Sequence, residues 1–327
     1  MPPVCFVTGA AGFVGRHLLP LLARDWSLRT LVRPGQRLTT SDGEPTTPIE
    51  GRLDDERALR AGVTGADLVV HLAALVSFRH EDHAAMQRIN VDNTATLARL
   101  AREASVRRFL HVSTISAIGC TRTPTSLDET APFTFAPLRI GYCDTKFAAE
   151  QRVLAEVARG LDAVIVNPPS MYGAGDRRKG DGSLLSAVLA GEVKWAPPGG
   201  LNVANVADVC SGIVRAIERG RRGERYILGG ENLTGRELMQ RIAAIVGGRA
   251  PRRAAPRWLV ERAADALALK ERLFGSRPPV TSQILRLAAR FLWYSSEKAA
   301  RELDWRAGSV DAGIAAAWRE LQDSSPA

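Results

Sequence analysis

Short apolar runs alternate with amphipathic stretches through the first half of this chain. "VCFVT" at residues 4–8 is apolar and partly β-branched, the pattern of a buried strand. "RHLLPLLARD" follows, with Leu18, Leu19, Leu21 and Leu22 at helical positions and Pro20 expected in the tolerant first turns. "SLRTLV" (27–32) predicts a second strand, "TPIEG" a weak third, and "DDERALRAGV" a short helix. "ADLVVHLAA" (66–74) predicts a strand running into small residues, and residues 82–104 a long helix. "RRFLHVST" (107–114), residues 142–159 and "DAVIVNP" (162–168) predict strand, helix and strand. Strands that are apolar throughout are buried on both faces. Alternating with helices, they predict an α/β fold on a doubly wound parallel sheet. After residue 168 the pattern loosens into a smaller C-terminal lobe, with a strand at 225–229 returning toward the sheet. The expected main domain is 1–168 together with 202–229, and the lobe is 169–201 together with 230–327.

Composition narrows the class. A chain of 327 residues suits a large α/β core with a lobe, and 45% hydrophobic and 24% charged residues suit a globular protein. No apolar run approaches ~18 residues, so no membrane span is expected. "MPPVCFVTGA" lacks a basic n-region and a cleavage site, so a cytoplasmic location is expected. The four cysteines show no C-x-x-C and no metal-ligand spacing, which predicts reduced structural thiols and no metal site. The net charge of +9 is carried by 39 arginines and 5 lysines. "ERGRRGER" (218–225) and "GRAPRRAAPR" (248–257) have no interleaved aromatics or nucleic-acid motif beside them. They predict solvated faces, or arginines for an anionic ligand, and no nucleic-acid partner.

Two stretches carry candidate chemistry. "TGAAGFVG" places Gly9, Gly12 and Gly15, with Phe13 and Val14 between the last two, directly after the first strand and at the start of a helix. Glycines permit a tight turn and close backbone approach, and a helix N-terminus offers free N–H groups to a pyrophosphate. The second strand ends "LVRPGQR", with Arg33 and Arg37 and no acid. Arginine suits a 2′-phosphate, so NADP(H) is favoured over the alternative NAD(H). In "GYCDTKFAAE" (141–150), Tyr142 and Lys146 stand four apart on one helix face that continues as Ala149, Val153 and Val157. An apolar continuation places the pair toward the buried side.

With "HLAA" (71–74), "HVSTISAIG" (111–119), "YCDTK" (142–146) and "NPPSMYG" (167–173) in order after the glycine loop, the chain resembles an extended short-chain dehydrogenase/reductase. It is most similar to the branch holding dihydroflavonol reductases, 3β-hydroxysteroid dehydrogenases and hopanoid-associated sugar epimerases. The resemblance implies a Rossmann-type fold and a catalytic set of Tyr142 as general acid/base, Lys146 on the nicotinamide ribose, and Thr114 on the substrate oxygen. Ser116 is a second substrate contact. It implies that Leu72, Ala73 and Ala74 wall the cofactor, that Asn90 props the site through the backbone, and that Asn167, Pro168 and Pro169 border the nicotinamide. Leu53 is expected near the adenine, where Arg52 replaces the family's usual aspartate. Phe78, Met171, Tyr172, Leu184, Leu185 and Trp195 are expected to line a largely apolar substrate pocket. The implied activity is ketone–alcohol interconversion on a hydrophobic or polycyclic small molecule. A nucleotide-sugar or sugar epimerase or dehydratase with retained cofactor is the alternative, and a nonenzymatic cofactor-binding regulator ranks lower. A homodimer is compatible with this reading.

Overall fold

The computed structural model describes residues 2–40, 42–176, 184–275 and 278–324. The described residues form two sheets. The main one contains β1 (Val4–Thr8), β2 (Ser27–Val32), β3 (Thr47–Glu50), β4 (Leu68–His71), β5 (Arg108–Val112), β6 (Ala163–Asn167) and β9 (Arg225–Ile227). The second contains β7 (Ser170–Tyr172), β8 (Gly200–Asn205), β10 (Glu231–Thr234) and β11 (Phe291–Leu292). The main sheet runs β3-β2-β1-β4-β5-β6-β9 with every neighbouring pair parallel. Its order reverses between β1 and β4, which leaves a crevice beyond the strands' carboxyl ends.

Alternation along each central strand explains why these runs carry no polar face. Cys5 and Val7, Leu68 and Val70, Leu110 and Val112, and Val164 and Val166 point into one core beneath helices Phe13–Leu22 and Val206–Arg219. Phe6, Val69, Phe109 and Ile165 point into the other. There they meet Leu59 and Val63, then Leu97 and Ala101, then Val153 from three further helices. Two strands are shorter than their apolar runs. The stretch 66–74 leaves the ladder after a last bond from Leu72 N to Thr8 O (3.0 Å), because Ala73 then runs against the turn at Gly9. The stretch 107–114 ends at Val112, because the Thr114 side chain caps a tight turn at Ile115–Ala117.

Pro20 differs from expectation. It is the eighth of ten residues in helix Phe13–Leu22, in the last turns, where it removes one helical N–H donor. The long helix predicted at 82–104 is a continuous helical run whose hydrogen bonding changes type. Its middle, Gln87–Asp92, is a π turn containing Asn90.

The lobe has its own core, in which Tyr172, Leu185, Val203, Leu238, Ile242 and Ile314 are buried. Thr234 and Glu237 form a capping box at the start of helix Gly235–Val246. The chain crosses between the two units more often than the division at 168, 202 and 229 implies. Strand β8 is central to the lobe sheet, whereas Ala299, Leu303 and Trp305 pack into the main core with Val209 and Ile213.

One polar seam ties the sheet's last strand to the helix Gly141–Ala158. Glu150 is completely buried. Its carboxylate accepts from Asn167 Nδ2 (2.6 Å) and Arg225 Nη1 (3.1 Å). Arg225 Nε also donates to Glu129 O (3.1 Å), and Ile227 N donates to the Glu129 carboxylate (2.8 Å). Removing one partner of a buried pair strands the other charge. Arg225→Ala should therefore cost about 3 kcal/mol in a urea titration, and Arg225→Lys much less. An Arg225→Ala midpoint equal to that of the unaltered protein would show that the seam contributes nothing.

Candidate active site

A cavity of about 630 Å³ lies along the carboxyl ends of β1, β4, β5 and β6. Gly9, Gly12, Phe13, Val14, Gly15, Leu72, Ala74, Phe78, Thr114, Ser116, Tyr142, Lys146, Pro168, Pro169 and Met171 all line it. The lobe adds Leu201, Leu287 and Leu292. Residues up to 283 positions apart in sequence, from Gly9 to Leu292 (292 − 9), thus meet in one space.

The three glycines do different things. Gly9 has φ +75°, and a Cβ there would lie 2.6 Å from Ala73 N. Gly15 lets the first helix close on its own loop, since a Cβ would lie 2.2 Å from Ala10 O. Gly12 has an ordinary φ of −75°, and its nearest obstacle is Gly9 O at 3.1 Å. Gly12 is therefore bare for the sake of the cavity more than for the fold. The first turn of the helix carries no acidic residue, and Arg16 faces the cavity. Free amides, a positive helix end and a guanidinium fit the pyrophosphate of a dinucleotide.

Thr114 is held from several directions. Its Oγ1 accepts from Ser116 N (3.2 Å), and its carbonyl accepts from Asn167 Nδ2 (2.8 Å). The next amide, Ile115 N, donates to Pro168 O (3.0 Å). Tyr142 and Lys146 rise from one face of helix Gly141–Ala158, and the Tyr142 ring meets Phe78 edge-on with centroids 5.7 Å apart. Lys146 is only 2% exposed. Its Nζ donates to Val112 O (3.1 Å) and lies 3.5 Å from His111 Nε2.

Burial lowers the Lys146 pKa from its ordinary 10.5 to about 8, and Glu150, one turn on, works against that fall. His71 and His111 are register partners on β4 and β5, with ring centroids 5.4 Å apart. Burial first, and the Lys146 charge second, push His71 down to about 3 and His111 well below its usual range. His71 bridges Thr8 Oγ1 (2.6 Å) and Thr94 Oγ1 (2.8 Å). With both imidazoles neutral, the positive charge at this end of the sheet stays on Lys146.

Asn90 joins two walls of the cavity. Its Oδ1 accepts from Leu75 N (2.7 Å), and its Nδ2 donates to Leu75 O (3.0 Å) and Thr145 Oγ1 (3.2 Å). The π turn thereby fixes the loop carrying Leu72, Ala74, Val76 and Phe78 against the helix carrying Tyr142 and Lys146.

Several expected lining residues lie elsewhere. Tyr172 and Leu185 are buried in the lobe core and Leu184 packs against it, so their apolar surface is consumed in holding the lobe together. Trp195 is 53% exposed and lies outside the cavity. Ala73 presents its backbone to Gly9, and Asn167 sits beneath the cavity bonding Thr114 and Glu150. Leu53 packs on the second core. Arg33 and Arg37 are exposed beyond the end of β2, next to the glycine loop's strand but outside the cavity. Glu50 brings an acid to that same rim from β3. It is in register with Val32 and accepts from Gly35 N (3.2 Å). Among the residues missed, Leu201, Leu287 and Leu292 carry no local signal. Glu150 does, as an opposite charge one helical turn after Lys146.

Residues 5–229 match the NAD dependent epimerase/dehydratase family. Sterol demethylase protein B of Methylococcus capsulatus is 33% identical over 278 residues, 84% of either chain. The 4-hydroxy-2-methyl-3-oxo-4-farnesyl-3,4-dihydroquinoline-1-oxide ketoreductase of Stigmatella aurantiaca is 37% identical over 226 residues, 68% of this chain and 67% of that one. The crystal structure of gox2253 superposes with a TM-score of 0.85 at 30% identity, with 98% of each chain covered.

The glycine geometry separates two substitutions. Gly12→Val should leave the circular dichroism spectrum unchanged and abolish dinucleotide binding in a fluorescence titration. Gly9→Val should lower the melting temperature, because it strains a positive φ and strikes the Ala73 backbone. Undiminished affinity in a folded Gly12→Val protein would place the dinucleotide elsewhere.

Lys146 sets a pH dependence whose sign is fixed. In the unfolded chain the lysine keeps its proton to about 10.5, and in the fold it gives it up at about 8. Between those values the unfolded chain binds the extra proton, so folding gains as pH rises through this window. Below about 8 the cost of the buried ammonium is carried in full. Lys146→Met should therefore stabilise the unliganded protein at pH 7, with an advantage that shrinks from about pH 8 upward. A destabilised variant at pH 7 would contradict this.

Proposed function

The chain belongs to the NAD dependent epimerase/dehydratase family, whose members are extended short-chain dehydrogenase/reductase enzymes, and we propose that it is an NADP(H)-dependent reductase of a bulky apolar ketone. The observation that carries this reading is the apolar lining of the cavity around Tyr142. Phe78, Val76, Met171, Leu201, Leu287 and Leu292 offer an apolar enclosure, and a sugar ring would leave its hydroxyl groups unpaired against them. The Stigmatella ketoreductase and the Methylococcus sterol demethylase protein B point to substrates of that character.

The residues divide the work as follows. The nicotinamide, when bound, supplies the hydride. The Thr114 hydroxyl holds the substrate oxygen, with its own backbone fixed by Asn167. Tyr142 gives that oxygen its proton. A free phenol titrates near ~10, and the Lys146 ammonium favours the phenolate left behind, bringing the proton transfer into the working pH range. Lys146 also bonds the ribose, and Gly12 and the amides after it hold the pyrophosphate. Arg33 and Arg37 take the 2′-phosphate at the end of β2, where the Glu50 carboxylate is engaged by the Gly35 amide.

The test is a screen of NADPH oxidation against polycyclic and long-chain ketones, with nucleotide sugars as the contrasting set. Tyr142→Phe should lower kcat by about 10²–10⁴-fold while dinucleotide affinity holds, and Thr114→Ser should stay active. NADPH should bind more tightly than NADH, and Arg33→Ala should narrow the gap. Full turnover by Tyr142→Phe would refute the mechanism. Reaction of nucleotide sugars alone, without net NADPH consumption, would replace the reductase with an epimerase.

A further inference from the structure

Helix Arg257–Phe274 buries one side chain, Ala264, and turns a broad apolar stripe outward. Trp258 is 67% exposed, Leu269 58%, Leu273 63% and Phe274 75%. With Leu259, and with Val280 just beyond the helix, the segment holds six of the nine exposed large apolar side chains among the described residues. Trp258, Leu259, Ala266, Leu269 and Leu273 fall within an arc of roughly 100° on a helical projection. This is a continuous face rather than scattered exposure.

The charges around that face are mostly basic. Arg252, Arg253, Arg262, Lys270 and Arg272 are exposed on it or at its approach. Of the helix's acids, Glu261 pairs with Arg122 and Arg290, Asp265 at the edge of the stripe pairs with Arg286, and Glu271 accepts from Ser282. Beside the helix lies a second cleft of about 520 Å³, lined by Arg79, Arg139, Arg272 and Arg286 against Glu81 and Glu271, with Leu269 among its apolar residues. This cleft shares walls with the reaction cavity. Phe78 and Leu287 face the reaction cavity, while their chain neighbours Arg79 and Arg286 face the basic cleft.

We propose that this face docks on an anionic phospholipid bilayer. The helix Arg257–Phe274 lies in the interface plane with its leucines and Trp258 in the acyl boundary, and the arginine cleft takes lipid phosphates. Charge decides against a second copy of the chain as the occupant. A two-fold contact would set this net-positive face against its own copy, whereas an anionic surface complements it. Docked this way, the wall shared by the two clefts brings the reaction cavity next to the lipid phase. The surface stands whichever reaction the cavity performs, because vesicle binding is read without turnover.

Co-sedimentation of the full chain with phosphatidylcholine vesicles, with and without phosphatidylglycerol, tests it. The unaltered protein should bind the anionic vesicles and be released by added salt. Leu269→Ser with Leu273→Ser should weaken binding about tenfold or more while circular dichroism and dinucleotide affinity stay unchanged. Arg262→Glu with Lys270→Glu should do likewise. Absence of binding to anionic vesicles would overturn the proposal, as would binding indifferent to both double variants. Light scattering that shows a dimer converted to monomer by the leucine variant, without vesicle binding, would assign the face to self-association instead.

Discussion

A lysine ammonium held out of water is the constraint around which this molecule is organised. Lys146 donates to a strand carbonyl at the end of β5 and stands against two imidazoles kept neutral by their own burial. A charge so placed needs compensation, and Glu150 supplies it from one turn along the same helix. Glu150 is itself buried, so it needs Asn167 and Arg225 in turn. Asn167 also holds the Thr114 carbonyl, and Arg225 belongs to the edge strand of the main sheet. Tyr142, Lys146 and Glu150 are thus one column at helical spacing, through which the reacting end of the cavity is wired into the sheet. The arrangement lowers stability locally, and in the mechanism that we propose it is retained because an ammonium in low dielectric acts strongly on a neighbouring phenol.

Different parts of this were legible in the sequence to different degrees, for physical reasons. The central strands read clearly because burial on both faces forbids polar residues, and each apolar run maps onto two cores in alternation. The glycine loop and the Tyr142–Lys146 spacing read clearly because backbone approach and helix pitch impose local patterns. Strand ends did not. The ladder stops at His71 because Ala73 meets Gly9, a contact 64 residues apart (73 − 9). Tyr172, Leu184 and Leu185 are as apolar as a pocket requires, and equally as apolar as a core requires, so only packing distinguishes them. Leu287 and Leu292 face the cavity from a segment with no motif at all. Glu50 arrives at the rim of β2 from the next strand, which the end of β2 cannot announce.

The lobe explains how one sheet can serve family members that act on very different molecules. The side of the cavity that we assign to the dinucleotide is built from β1, β4 and β5 and their loops, and it alone carries the glycine turn, Thr114 and Ser116. The other side comes from β7, β8, β11 and the helix before β11, and apart from Ser170 it is apolar. That same helix, Ser282–Ala288, packs with the exposed helix Arg257–Phe274 through the Arg286–Asp265 pair. The surface that we assign to a bilayer and the wall that we assign to an apolar ketone are therefore neighbouring parts of one unit.

The proposed reaction is net hydride transfer to a carbonyl at the Tyr142–Lys146–Thr114 end of the cavity. Mass spectrometry of the product formed with NADPH deuterated at the transferable C4 position tests it most directly. The expected product carries one deuterium on the new carbinol carbon, with one NADP⁺ released per alcohol. Product without label, with the deuterium still on the recovered dinucleotide and no NADP⁺ formed, would contradict it.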